Sequence, residues 1–190
     1  AETHGERRRE RGDRVADASG ANVLSSFRRM NSAGKIFGWE KLIGWRASLR
    51  TAGRKLVVTN GCFDILHRGH VACLEAARNQ GDALLVGLNA DASVRELKGP
   101  DRPVNPEDDR AAVLAALECV DGVCIFREPT ALRLLETVRP DIYAKGGDYT
   151  LDTINQDERR LVEQMGGKVV VLPGVPGRST TALLEKLSRL

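Results

Sequence analysis

The chain has 190 residues, 42% of them apolar and 4% aromatic, with a formal charge of +3. That length suits one globular domain with a real core, and so few aromatics leave Leu, Val, Ile and Ala to build it, as in a layered α/β protein. Most of the positive excess lies in the first 30 residues, where seven Arg face five acids; the remainder is nearly neutral and lacks the clustered cations with interleaved aromatics of a nucleic-acid binder.

Residues 1–32 are mostly Arg, Glu, Asp, Gly and Ser, too polar to offset the entropy of ordering. They are expected to form a disordered Arg-rich extension, with a single folded domain spanning 33–190. Leu42, Trp45 and Leu49 recur at helical spacing and Gly53 follows them, which predicts an opening helix over 39–50. The run KLVVTN predicts a strand over 55–60, and a helical pattern follows over 69–80. Next come a strand over 83–88, a helix over 106–116 with Asn105 as its cap, and a strand over 122–126. A helix over 131–138 capped by Thr130, a strand over 142–144, a helix over 158–165, a strand over 168–172 and a last helix after Ser179 complete the chain. Five strands alternating with helices predict a single Rossmann-like, doubly wound α/β domain with a mainly parallel five-stranded sheet. Ligands of such sheets bind beyond the carboxyl ends of the strands.

Cys62, Cys73, Cys119 and Cys124 match neither the CxxC pairs of a zinc site nor the dense spacing of a secreted scaffold, and read as reduced thiols of a cytoplasmic protein. No apolar run reaches the roughly eighteen residues of a membrane helix, and no apolar core of a signal peptide follows the Arg-rich start. Neither a membrane nor a nucleic acid is therefore expected as partner.

The loop after the first strand carries the chemistry. His67 and His70 lie three residues apart at a helix start, so both rings share one face. A helix N-terminus favours an anion, and Gly69 lets phosphate approach the backbone. Two imidazoles there can serve phosphoryl transfer by electrostatic stabilisation, without a protein nucleophile. No third His and no Cys/His set completes a zinc site, so direct ligation of a metal by side chains is not expected. After the fourth strand, KGGDY offers Gly147 for close backbone passage and Asp148 for sugar hydroxyls, although a plain turn would have the same composition. GRSTT places Ser179, Thr180 and Thr181 before the last helix, suited to a triphosphate and equally to capping.

The segment TNGCFDILHRGH resembles the HxGH signature of the cytidylyltransferase-like nucleotidyltransferase superfamily. GDALLVGLNADASVRELKGPDRPVNPEDDR, PDIYAKGGDY and GRSTTALLEKL narrow the likeness to the adenylyltransferases that make ADP-heptose from ATP and D-glycero-β-D-manno-heptose 1-phosphate. The resemblance implies that Asn60, Gly61, Phe63 and Asp64 lead into a nucleotide site. His67, His70 and Lys98 would stabilise the transferring phosphate, with Lys98 carried on a mobile Gly-Pro loop, and Arg110 would lie near the same pocket. It implies Mg²⁺ accompanying ATP, a homo-oligomer, a separate heptose kinase supplying the acceptor, and a role in the lipopolysaccharide core. Two alternatives stay open: a cytidylyltransferase acting on a polyol or amino-alcohol phosphate, and a non-catalytic nucleotide-binding module. The related glycerol-phosphate and choline-phosphate enzymes place an arginine shortly before the STT element, where this chain has residues 174–177 and Arg178 only afterwards.

Overall fold

The computed structural model describes residues 31–147, 149–175 and 180–187, with Arg189. The expected extension falls almost wholly outside them, as do Asp148 and Ser179 and the side chain of Thr181.

The opening helix α1 runs Trp39–Thr51. It ends because Gly53 takes φ +64, the left-handed turn that lets Arg54 N–H reach back to Leu49 O at 2.9 Å. Strand β1 is Leu56–Gly61, and helix α2, Arg68–Arg78, follows it. Strand β2, Ala83–Asn89, is buried at every residue, as expected of a strand covered on both faces. Helices α3, Asp91–Lys98, and α4, Glu107–Ala116, lie between it and β3, Gly122–Phe126. Helix α5, Leu132–Val138, leads to β4, Ile142–Gly147; helix α6, Gln156–Gln164, leads to β5, Lys168–Pro173; and α7, Thr180–Leu187, closes the chain.

The sheet order is β3-β2-β1-β4-β5, and every pairing is parallel. The predicted doubly wound fold is therefore found, with β1 at the centre. Ile36 forms a parallel bridge to Val123, so the segment before α1 covers part of the β3 edge. Alternation along the strands sends Leu56, Val58, Leu85 and Tyr143 into a core beneath α1, α5 and α6. Val57, Leu84, Val86, Leu88 and Ala144 point the other way, beneath α2 and α4. Gly87 lets α5 approach, since a Cβ there would come within 2.4 Å of Leu134 Cδ2.

Three local expectations are corrected. Helix α3 replaces what the sequence reads as loop, so Lys98 is its last residue, and Gly99, at φ 98, begins the Gly-Pro turn after it. Asn105 does not cap α4; Pro106 precedes the helix, and the Asn105 amide donates to Asp64 O at 2.8 Å. Thr130 does not cap α5. The N–H of Ala131 is held there by Glu158 Oε1 at 2.8 Å, a carboxylate reaching over from α6.

Candidate active site

Strand order reverses beside β1, where β2 and β4 leave in opposite directions, and a crevice opens beyond the strand ends at that point. A cavity of about 500 Å³ fills it, lined from the loop after β1, the start of α2, the ends of β2, α3 and β4, and the start of α7. No helix among the described residues is long and apolar enough to cross a membrane.

The floor of the loop is shaped by Phe63, whose φ of 43 is left-handed and strained for a bulky residue. The turn carries the chain from β1 to α2, and His67 caps that helix: its Nδ1 accepts the Gly69 N–H at 3.1 Å. A nitrogen that accepts cannot carry the ring proton, so the neutral imidazole presents Nε2–H as its donor. The Gly69 N–H is thus taken by the ring, while Gly69 still lines the cavity. His70 stacks on His67 with centroids 3.9 Å apart and planes at 22°, and Phe63 covers it at 5.3 Å. Burial, then the neighbouring His67, pushes His70 down to about 4. At neutral pH it is an uncharged imidazole, and its buried Nδ1 has no hydrogen-bond partner among the described residues.

Two cations approach from the far side of the loop. Lys98 is exposed at the end of α3 and lines the cavity. Arg102, which the sequence reading passed over, also lines it and is fixed by Asp64 through Nε–Oδ2 at 2.5 Å. Asp64 itself is only 3% exposed. Its Oδ1 accepts from Val104 N at 2.8 Å and Asn105 N at 3.1 Å, so the carboxylate is spent on anchoring the 102–105 segment. Arg110 is equally occupied: it donates to Asn105 O, Cys62 O and Asp91 Oδ1 at 2.9, 2.5 and 2.6 Å. It is 2% exposed and lies on a smaller neighbouring cavity of about 350 Å³ with Asp109 and Val113, not on the main one.

Across the crevice, β4 contributes a group the sequence reading did not single out. The Lys145 ammonium donates to Asn60 Oδ1 at 2.5 Å and stands 3.5 Å from Glu158 Oε2. The Tyr143 hydroxyl lies 2.6 Å from both Asn60 Oδ1 and Glu158 Oε2. Burial lowers the Lys145 ammonium while Glu158 pulls it back up; burial and Glu158 raise the Tyr143 hydroxyl well above its ordinary value. The signal that could have found Lys145 is a charged residue near the carboxyl end of an otherwise buried parallel strand, where ligands sit.

Asn60, Gly61, Phe63, His67, His70 and Lys98 thus surround one cavity with Asp64, Gly69, Gly147 and Thr180. The Thr180 hydroxyl donates to Ile65 O at 3.4 Å, tying the start of α7 to the histidine loop. Gly147 takes φ +99, and Gly174 passes so closely that a Cβ on it would meet Gly147 Cα at 3.2 Å.

A parallel sheet with its crevice at the switch point, imidazoles on one wall and ammonium groups on the others, has the chemistry to suit a phosphorylated nucleotide. The chain belongs to the cytidylyltransferase-like family of nucleotidyltransferases, whose family model matches residues 58–185. It is 49% identical over 162 residues to the bifunctional protein HldE of Trichlorobacter lovleyi, covering 85% of this chain and 33% of that protein. With HldE of Geobacter sulfurreducens it shares 46% over 175 residues, covering 91% of this chain and 35% of that one. The chain therefore spans about a third of the length of these curated relatives. A solved structure, the lipopolysaccharide core biosynthesis protein of Thermoplasma volcanium, superposes with a TM-score of 0.54 at 28% identity, over 65% of this chain and 98% of that one. The pantoate-beta-alanine ligase of Francisella tularensis superposes with a TM-score of 0.50 at 15% identity, over 77% and 68%, a likeness of fold alone.

Proposed function

We propose that residues 33–190 form an adenylyltransferase that moves AMP from ATP to D-glycero-β-D-manno-heptose 1-phosphate, releasing pyrophosphate and giving ADP-heptose. The observation that carries the reading is the stacked His67–His70 pair at the start of α2, with His70 held uncharged at the crevice. The HldE relatives and the lipopolysaccharide core protein of Thermoplasma volcanium support the choice of acceptor. By the same reading the enzyme is a cytoplasmic homo-oligomer serving lipopolysaccharide core synthesis, and a separate heptose kinase supplies its acceptor.

An oxygen of the sugar 1-phosphate attacks the α-phosphorus of ATP in line, and the bond from that phosphorus to the oxygen bridging it to the β-phosphorus breaks. No protein nucleophile is needed. His67, through Nε2–H, and His70 donate to oxygens on which negative charge grows. Lys98 meets the departing pyrophosphate as a point charge, and Lys145 with Asn60 holds phosphate on the opposite wall. The loop after β1 and the start of α7 position the nucleotide; in this reading Asp64 and Arg110 act by holding that loop, while Gly147, Asp148, Ser179 and Thr181 are assigned to sugar or phosphate binding. Among the described residues no three His, Cys, Asp or Glu side chains gather to hold a metal ion. The imidazoles and cations of the cavity suit phosphate oxygens rather than a metal, so a Mg²⁺ would be held by ATP itself and would supply charge neutralisation on the leaving pyrophosphate.

Pyrophosphate release with Mg²⁺ tests this, comparing ATP and CTP against heptose 1-phosphate and glycerol 3-phosphate. Release with ATP and the heptose alone is the expected result. CTP with glycerol phosphate would overturn the substrate, and silence in every pairing from folded protein would point to a nucleotide-binding module.

A further inference from the structure

We propose that Glu158, which lies behind the cavity rather than in its lining, is the positioning residue that presents the Lys145 ammonium and the Asn60 amide to the reacting phosphates. The inference rests on the phosphoryl-transfer reading above and adds to it a residue from α6 that touches no substrate.

Glu158 is 3% exposed, and a buried carboxylate persists only where its partners replace water. It has them on both oxygens. Asn155 caps α6 by accepting from the Glu158 N–H at 3.2 Å, which fixes the first turn and aims the side chain at the sheet. Oε1 holds the Ala131 N–H at the start of α5, and Oε2 meets the Tyr143 hydroxyl and the Lys145 ammonium.

The proton count assigns the roles. Tyr143 has one proton and two short acceptors, Asn60 Oδ1 and Glu158 Oε2, and an anionic carboxylate is the stronger of the two. With that proton on Glu158, Asn60 Oδ1 depends on Lys145 for its donor. Lys145 is then fixed by two acceptors, Asn60 Oδ1 and Glu158 Oε2, and a remaining N–H is available to the cavity it lines. The titratable groups facing the ammonium are Glu158 from α6, Tyr143 from its own strand at 4.9 Å and Tyr149 beyond the strand at 5.8 Å. Glu158 is the carboxylate among them, and it raises the Lys145 ammonium against the lowering by burial, so it favours the protonated lysine as well as its placement.

Glu158→Gln separates positioning from scaffolding. The amide oxygen stays on the Ala131 N–H, and the NH₂ group can donate to the Tyr143 oxygen, which turns its proton to Asn60. The network remains bonded while Lys145 loses its counter-ion. Two readouts are taken from the 190-residue chain: the titration of the Lys145 ammonium by nitrogen NMR, assigned with Lys145→Gln, and the pH profile of pyrophosphate release. The expected results are a Lys145 midpoint displaced to lower pH, an alkaline limb displaced with it, and kcat/KM down by about 10- to 100-fold, the range for groups that orient a ligand from behind. Tyr143→Phe, which keeps the ion pair, should leave the Lys145 midpoint in place. Should Glu158→Gln not fold, Glu158→Asp draws the charge back by one methylene and should displace both readouts in the same direction by less. A Lys145 midpoint unmoved in the folded variant overturns the proposal, even with turnover lost, since that pattern is merely structural. Wild-type protein silent toward every substrate pairing would sink the substrate assignment and leave the titration to decide this one.

Discussion

The two walls of the crevice hold the groups proposed to meet phosphate by opposite means. On the wall built from α2, His67 and His70 are neighbours in sequence, fixed by a helix cap and a ring stack. On the wall built from β4, Lys145 is held by Asn60 from β1 and Glu158 from α6, partners 85 and 13 positions away in the chain. The first wall is local, and its His70 is uncharged at neutral pH. The second is tertiary, and its charge is balanced by a buried anion. The difference teaches that one site can draw strong donors from a motif and its electrostatics from the assembled fold.

Removing the motif should have the largest effect. His70→Ala is expected to lower turnover by about 10²- to 10³-fold, as for loss of one transition-state donor, with pyrophosphate release as the measurement and unchanged ATP affinity marking the loss as one of catalysis. Turnover within a few-fold of normal would remove the α2 wall from the chemistry. Asp64→Ala acts on the frame behind that wall. It strips the partner from Arg102 and two backbone N–H groups, so urea unfolding should register a loss of about 3 kcal/mol, toward the lower end for a broken buried pair because Arg102 can turn to water.

The walls touch at Gly146, where a Cβ would fall 1.9 Å from Cys73 Sγ. Gly146→Ala should therefore push α2 from β4 and cost about 1–3 kcal/mol by overpacking. Adding Cys73→Ala should recover much of it, because the next nearest atom is 3.2 Å away; no recovery would mean that backbone freedom at 146, rather than the close approach, is what matters.

The smallest effect is a titration. His70 is displaced from 6.5 to about 4, so the folded protein holds fewer protons than the unfolded chain between those values. Stability should fall as pH drops through that interval and stay level above it. NMR of the His70 ring should show a midpoint near 4, rising when ATP brings negative charge beside it; an ordinary midpoint would show that the stack leaves the ring in water.

The sequence made the local wall readable because strand, glycine and paired histidines are contiguous. The β4 wall was hidden for physical reasons. Tyr143 reads as an ordinary strand residue, two glycines after Lys145 suggest that the strand has ended although it runs to Gly147, and Glu158 reads as a solvated acid in the first turn of a helix. Helix α3 was missed because only Val94 and Leu97 mark its apolar side and its start carries no side-chain cap. The sequence accordingly reads Lys98 as part of a loop, whereas it ends α3 and lines the main cavity.

The central place of β1 has a consequence for how the protein opens. The strand is paired on both edges, to β2 and β4, and covered by a core on each face. Its amide hydrogens should exchange with solvent only when the whole domain unfolds, as for the most protected unit of a fold. Asn60 and the root of the histidine loop grow directly from this strand. The anchor of the crevice should therefore be the last part of the domain to open, while the loops and helix starts that line it can open earlier.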